Sequence, residues 1–342
     1  MRSVMARIGI VGAGAWGTAL AATMSRAGHD CVLWAHETEV VEGIRDNGHN
    51  PLFLPEIALN GVAATGDLAA AADADAVLLV VPAQFLRAQC RRLRSHWKAG
   101  VPAVICAKGV ETDSFAAMSE VVAAELPEAP LAVLSGPTFA VEVARGLPTA
   151  ITLACADAAI GRQLVDWIGT ASFRPYLTDD VIGAEVGGAV KNVLAIACGV
   201  VEGQGLGDNA RASLITRGIA ELMRLAVAKG ARAETCMGLS GLGDLILTAS
   251  SQQSRNYSLG FALGEGKSLA DILASRRSVT EGVATAAAVG GLAAKLGVEL
   301  PICAAVAGLL HQSRGIEETI RDLLARPFRH ELGFLGEGRP AT

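Results

Sequence analysis

Short apolar runs alternate with helical stretches over the first half of the chain. Arg7-Ile8-Gly9-Ile10-Val11 has the length and composition of a buried strand, and residues 18–26 read as a helix. Apolar runs recur at 31–34, 62–65, 76–81, 103–107 and 131–134, with helical stretches between them, one of them over 37–48. Ala76-Val-Leu-Leu-Val-Val81 is apolar at every position, as in a strand covered on both faces. This alternation predicts a doubly wound, mostly parallel α/β sheet. Residues 149–154 and 173–176 read as edge strands, and 50–55, with a proline at each end of Pro51-Leu-Phe-Leu-Pro55, as a loop. From about Asp179 strand-like runs stop. Residues 181–203, 209–229, 268–275, 281–297, 300–311 and 316–326 predict helices.

The first strand and helix are joined by Gly12-Ala13-Gly14-Ala15-Trp16-Gly17. Strand, then G-x-G-x-x-G, then helix is a dinucleotide-binding arrangement. Gly12 permits the tight turn, Gly14 lets a pyrophosphate approach the backbone, and Gly17 lets the helix pack closely on the strand. The helix N-terminus offers free N–H groups and a partial positive charge to the phosphates. The chain therefore divides into a Rossmann-like domain over 1–178 and an all-helical substrate and catalytic domain over 179–342, with a Gly- and Pro-rich frayed end at 327–342. An acid near the end of the second strand holds the ribose in many NAD sites. Here Trp34-Ala35 is followed by His36 and then Glu37, which leaves NAD against NADP open.

Composition narrows the partners. The net charge is −5 with opposite charges interspersed, so no basic surface for nucleic acid is expected. Seven cysteines, an odd number without a C-x-x-C, fit reduced thiols in a cytoplasmic protein. The six histidines lack metal-ligand spacing, and no metal is expected. Arg2 and Arg7 precede an uncharged run, 8–25, that imitates a signal peptide. Its glycines and Trp16 fit strand, turn and helix instead. No later run reads as long and apolar enough to span a bilayer, so no membrane insertion is expected.

Ligands of doubly wound sheets bind at the carboxyl ends of the strands. Lys108 and Ser135-Gly136-Pro137-Thr138 follow two such ends, with Pro137 suited to the first turn of a helix. Lys108 reads equally as a solvated loop lysine. Lys191 is the only charge between Glu185 and Glu202, in an apolar helix. Desolvation lowers a lysine's pKa toward the range useful for acid–base work; the competing reading is a stem that snorkels to water. Asp244 and Arg255 are the only charges between Glu234 and Glu265. Arg255 with Ser254 and Asn256 forms a donor set suited to phosphate, or equally a helix cap with an exposed arginine.

From about Ile8 to Phe328 the chain resembles the bacterial NAD(P)-dependent glycerol-3-phosphate dehydrogenases. The likeness rests on the Gly12–Gly17 motif, Pro82-Ala-Gln-Phe85, Lys108-Gly109, Ser135-Gly-Pro-Thr-Phe-Ala140, Asp244 and Ser254-Arg-Asn256, and above all on the run from Gly188 to Asn209. The resemblance implies reversible reduction of dihydroxyacetone phosphate to sn-glycerol 3-phosphate, which supplies the glycerophospholipid backbone, by a cytoplasmic homodimer. It implies Lys191 as acid/base on the C2 oxygen, with Lys108 polarising that oxygen. Asp244 would orient Lys191, a role inferred from their shared isolation. Gly136, Thr138, Asn192, Asp244, Ser254, Arg255 and Asn256 would meet substrate. Gly12, Gly14, Ala15, Trp16, Gly17, His36, Phe85, Lys108, Ala140, Arg255, Val279 and Glu281 would meet the cofactor. Two departures stand out: Ala15 where the family often has Ser, and Glu37 where many members carry a basic residue that would favour a 2′-phosphate. A hydroxyacid, ketopantoate or 6-phosphogluconate-type dehydrogenase, and a non-catalytic dinucleotide sensor, are the competing readings.

Overall fold

A computed structural model describes residues 5–276 and 278–327; the end from 328 onward, and with it nearly all of the expected frayed tail, lies outside them. The chain runs β1 (Arg7–Val11), α1 (Ala15–Arg26), β2 (Asp30–Trp34), α2 (Thr38–Asn47), a hairpin of β3 (His49–Asn50) and β4 (Leu54–Ala58), β5 (Val62–Thr65), α3 (Leu68–Ala72) and β6 (Ala76–Leu79). It continues through α4 (Leu86–Leu93), β7 (Ala103–Ile105), α5 (Met118–Glu125), β8 (Leu131–Ser135), α6 (Ala140–Ala144), β9 (Thr149–Ala154), α7 (Ala158–Ile168) and β10 (Phe173–Thr178). Among the described residues only helices follow: α8 (Val181–Gly203), α9 (Gly207–Ala228), α10 (Ala233–Cys236), α11 (Asp244–Thr248), α12 (Arg255–Gly264), α13 (Leu269–Ala274), α14 (Glu281–Leu296), α15 (Pro301–His311) and α16 (Ile316–Leu324).

Eight strands form one sheet in the order β10-β9-β8-β7-β6-β1-β2-β5. From β8 through β5 all neighbours are parallel, whereas β9 pairs antiparallel with β8 and parallel with β10. The fold is thus the expected α/β architecture with a C-terminal helical domain. β9 is interior rather than an edge strand, and β5 forms the second edge. The strand order reverses between β1 and β6, the switch point at which such sheets bind ligands. One face of the sheet is covered by α1, α2, α6 and α7, with Leu20, Met24, Ile44 and Leu164 buried among them. On the other face α3, α4 and α5 bury Leu68, Leu86, Val121 and Val122. The helical core centres on α8, which the other helices surround.

Two further sequence expectations need correction. Residues 50–55 are not a plain loop: Asn50 and Leu54–Ala58 pair as an antiparallel hairpin. Also, Val181–Gly203 does have the length and apolar character of a membrane span, although 89% of its most apolar window is buried inside the protein. Burial on all sides by other helices accounts for its composition, because a helix with no wet face has no polar stripe.

Candidate active site

The glycine loop sits at the switch point and is held from three directions. Gly12 has φ +118°, and a Cβ there would lie 2.9 Å from the Val80 carbonyl beyond β6. A Cβ on Gly17 would lie 1.8 Å from the Gly12 carbonyl oxygen, so the turn of α1 closes only over glycine. Gly14, in contrast, faces open space, with nothing within 4 Å of where its Cβ would be. No side chain caps the α1 N-terminus, and its first turn carries no acid. An open cradle before uncapped N–H groups is what a pyrophosphate requires, so these residues fit the dinucleotide. Asn50 completes the support: its Nδ2 donates to the Ala13 carbonyl and to Thr18 Oγ1, both at 2.8 Å. The hairpin missed in the sequence therefore carries a buried amide to the underside of the loop.

The remaining cofactor candidates are spread along the same edge. Trp16 is half-buried, packs its ring 6.4 Å from that of Phe173, and leaves Nε1 without a partner among the described residues. His36 and Phe85 are exposed, Ala15 and Ala140 half-buried, and Val279 exposed just before α14. Glu281, the first residue of α14, accepts a hydrogen bond from the Ala83 N–H at 3.2 Å through Oε1, which ties the helical domain to the loop after β6. Burial pushes its carboxyl up to about 7, against the opposing pull of that N–H and of Arg255.

The densest arrangement surrounds Asp244. Its carboxylate is almost fully buried and bridges two lysines: Lys191 Nζ donates to Oδ1 at 2.9 Å and Lys108 Nζ to Oδ2 at 2.6 Å. Lys191 also donates to Thr248 Oγ1 at 2.8 Å, and Lys108 to the Gly136 carbonyl at 3.0 Å. Four elements converge here. Lys108 comes from beyond β7, Gly136 from beyond β8, Lys191 from the middle of α8, and Asp244 and Thr248 from one face of α11. α8 reaches the sheet because Gly188 lacks a side chain: a Cβ there would lie 2.7 Å from Ser135 Oγ and 3.4 Å from the stem of Lys108. A π-helical turn over Leu239–Gly243 leads directly into Asp244, the kind of local irregularity found where a helix must present one side chain.

The charges are uneven in their cost. Burial lowers the Lys191 pKa to about 8; Asp244 opposes the fall, whereas Lys108 and Arg255 add to it. Burial alone would raise the Asp244 carboxyl, but the two lysines outweigh it and hold it below its ordinary value. An ammonium has three N–H donors. Lys191 spends two on Asp244 and Thr248, and Lys108 spends two on Asp244 and Gly136, so each retains one for a further acceptor.

A second polar chain adjoins this cluster. Asn256 Nδ2 donates to Asn192 Oδ1 at 2.8 Å, and Asn256 Oδ1 accepts from the Gly282 N–H at 2.9 Å. Each member neighbours a candidate residue in sequence: Lys191, Arg255 and Glu281. Ser254 caps α12, its Oγ accepting from the Tyr257 N–H at 3.2 Å, and Arg255 stands exposed at the first position of that helix. The cap reading of Ser254 is thus what the geometry displays, beside an Arg255 side chain that has no hydrogen-bond partner among the described residues and feels the charge of Glu281. Pro137 lies in the bend before α6 rather than in its first turn, and Thr138 Oγ1 donates to the Gly136 carbonyl at 3.2 Å. Among the described residues no group of His, Cys, Asp or Glu is arranged to hold a metal.

Residues 7–160 match the family described as NAD-dependent glycerol-3-phosphate dehydrogenase N-terminus, and residues 180–321 that described as its C-terminus. The chain belongs to the NAD-dependent glycerol-3-phosphate dehydrogenase family. Among its relatives, glycerol-3-phosphate dehydrogenase [NAD(P)+] of Rhodospirillum rubrum is 60% identical, with 100% of this chain and 99% of the relative covered. The same enzyme of Caulobacter vibrioides is 57% identical over 95% of this chain and 98% of its own. The crystal structure of glycerol-3-phosphate dehydrogenase from Coxiella burnetii superposes with a TM-score of 0.91 at 38% identity, covering 94% of this chain and 99% of that one. Membership makes the chain an oxidoreductase that uses NAD(P). Two contributors to the site do not stand out in the sequence. Thr248 follows Asp244 by four residues, a spacing that places both on one face only once α11 is known to be a helix. Asn50 gave no signal, since its role depends on a hairpin.

Proposed function

We propose that the chain catalyses reversible NAD(P)H-dependent reduction of dihydroxyacetone phosphate to sn-glycerol 3-phosphate, with Lys191 as the acid/base. One observation carries this reading: a buried lysine with a pKa near 8 is clamped at two of its three donors and keeps the third for an oxygen in the crevice at the strand ends. When bound, the nicotinamide dinucleotide supplies or accepts the hydride. In reduction, Lys191 Nζ gives its proton to the C2 oxygen, and in oxidation its neutral amine removes the hydroxyl proton. Lys108 directs its free N–H at the same oxygen and stabilises the negative charge that develops there. Asp244 orients both lysines and keeps the Lys191 pKa from falling further.

Arg255 supplies the charge for the phosphate, with the backbone N–H groups of Arg255 and Asn256 at the start of α12, unbonded among the described residues, beside it. The Asn256 side chain bonds to Asn192 and Gly282, so it holds the helix start in place, and its backbone N–H serves the ligand in this reading. Gly136, Thr138 and Ser254 line the same crevice in this reading. Gly12, Gly14, Ala15, Trp16, Gly17, His36, Phe85, Ala140, Val279 and Glu281 line the dinucleotide path. Arg255→Ala is expected to raise KM for the phosphorylated substrate by about tenfold to a hundredfold, the scale of one lost charge-assisted bond, with a smaller fall in kcat. Steady-state kinetics with varied dihydroxyacetone phosphate checks this.

The test of the reading is turnover of dihydroxyacetone phosphate with NADH and NADPH side by side, compared with unphosphorylated dihydroxyacetone and 2-hydroxyacids. Preference for the phosphorylated ketone supports it, and preference for a hydroxyacid overturns it. A cytoplasmic homodimer belongs to the same reading, on the ground of the family. Light scattering is expected to give a solution mass of two chains, and a monomer would remove that part.

A further inference from the structure

The cofactor edge holds a cation that the reading above leaves unused. Arg92 lies on α4, and its guanidinium carbon sits 5.5 Å from the centroid of the Trp34 ring. Trp34 is the last residue of β2, and its indole Nε1 donates to the carbonyl of Gly66, just past β5, at 2.9 Å. The indole therefore lies at the carboxyl edge of the sheet, where a doubly wound fold receives the adenosine ribose. His36 stands beside it, ring centroids 6.3 Å apart.

Arg92 is held in a defined pose. Its NH1 donates to Gln89 Oε1 at 3.0 Å, and Gln89 is buried, only 7% exposed. The Nε2 of Gln89 has no partner among the described residues, an orphaned buried donor next to this edge. No carboxylate pairs with Arg92 among the described residues, so its charge is uncompensated. Glu37, the acid nearest the end of β2, is exposed at the start of α2 and makes no capping bond. An acid there suits a ribose 2′-hydroxyl and repels a 2′-phosphate. A guanidinium fixed on an aromatic face offers a planar fork suited to phosphate oxygens.

We propose that Arg92, seated on Trp34 and tethered by Gln89, receives the 2′-phosphate of NADP and sets the balance between NADP and NAD against the opposing charge of Glu37. This rests on the dinucleotide-binding part of the proposed function. The seat of Arg92 over the Trp34 ring makes it a different anchor from the residue directly after His36, which here is acidic. It places recognition of the 2′-phosphate on the far side of the ribose pocket, on α4.

Calorimetric titration of the full chain with NADP+ and NAD+, without substrate, tests the assignment. Arg92→Ala is expected to raise Kd for NADP+ by about tenfold or more while that for NAD+ changes by less than about threefold. Arg92→Lys, which keeps the charge without the fork, is expected to fall between. Equal changes in both constants, or none, would overturn the proposal, and the lysine variant decides it should the alanine variant fail to fold. A wild-type chain that binds both dinucleotides but does not turn over dihydroxyacetone phosphate would count against the proposed reaction and leave the assignment of Arg92 standing.

Discussion

Lys191→Ala lowers kcat for dihydroxyacetone phosphate reduction by about two to four orders of magnitude, the usual contribution of one positioned acid/base group. Cofactor affinity, read by quenching of tryptophan fluorescence on titration with NADH, stays within a few-fold of wild type. The reason lies in the separation of tasks. The glycine loop, supported by Asn50 and Thr18, is bonded independently of α8, whereas among the described residues Lys191 Nζ is bonded only to Asp244 and Thr248. Removing the amine takes away the proton donor and leaves the loop untouched. It also leaves Asp244 paired with Lys108, so the buried carboxylate keeps a counter-charge at 2.6 Å and the site does not collapse. Turnover near that of wild type would show that another group handles the proton.

Asp244→Asn produces the second large effect, and its sign follows from the charges. The carboxylate opposes the depression of the Lys191 pKa, whereas Lys108 deepens it. Replacing the carboxylate with an amide of the same shape leaves Lys191 facing Lys108 without mediation, so its pKa drops below the wild-type value of about 8. Loss of an opposite charge in direct contact typically moves a pKa by about one to two units or more. Reduction needs protonated Lys191, so its rate falls as pH rises through that pKa. At pH 8 a drop of about one to two units cuts the protonated fraction, and with it the reduction rate, by about fivefold to fiftyfold. Oxidation of glycerol 3-phosphate needs the neutral amine, so its rising limb moves to lower pH. Rate profiles in both directions check this. Limbs that stay in place would remove Asp244 from the account as the group that tunes Lys191.

The parts of this site that could be read from the chain are those where composition departs from its surroundings. Lys191 stands out because apolar helices exclude charge, and Asp244 and Arg255 because each interrupts a long uncharged stretch. The Gly12–Gly17 motif is legible because its spacing encodes a turn that few other residues can make. The secondary structure between α9 and α12 was not legible. α10, α11 and the π-helical turn are too short to present an amphipathic repeat, and their conformation comes from packing against α8 rather than from their own preferences. The β3–β4 hairpin was hidden by Pro51 and Pro55, which read as breakers although Pro55 sits within a strand of a two-stranded sheet, where each strand has one free edge. Strand direction was hidden as well. Thr149–Ala154 has the composition of its parallel neighbours, and nothing in an apolar run states that it pairs antiparallel with β8.

The roles of Gly188 and Thr248 show the same boundary from the other side. The run around Lys191 is recognisable as a string of residues, but the close approach of Gly188 to Ser135 and Lys108 belongs to the assembled molecule. That contact brings a lysine from the sheet and a lysine from α8 onto one carboxylate. Without it, neither lysine would be close enough to the other to influence its protonation.

The most direct test of Lys191 as the titrating acid is the pH dependence of kcat for dihydroxyacetone phosphate reduction, wild type beside Lys191→Ala, between about pH 6 and pH 10. The wild-type rate is expected to bend downward near pH 8, and the residual rate of the variant to run flat through the same range. A variant that is slow but keeps the bend at the wild-type position would contradict the account, because the titrating group would then be a residue other than Lys191.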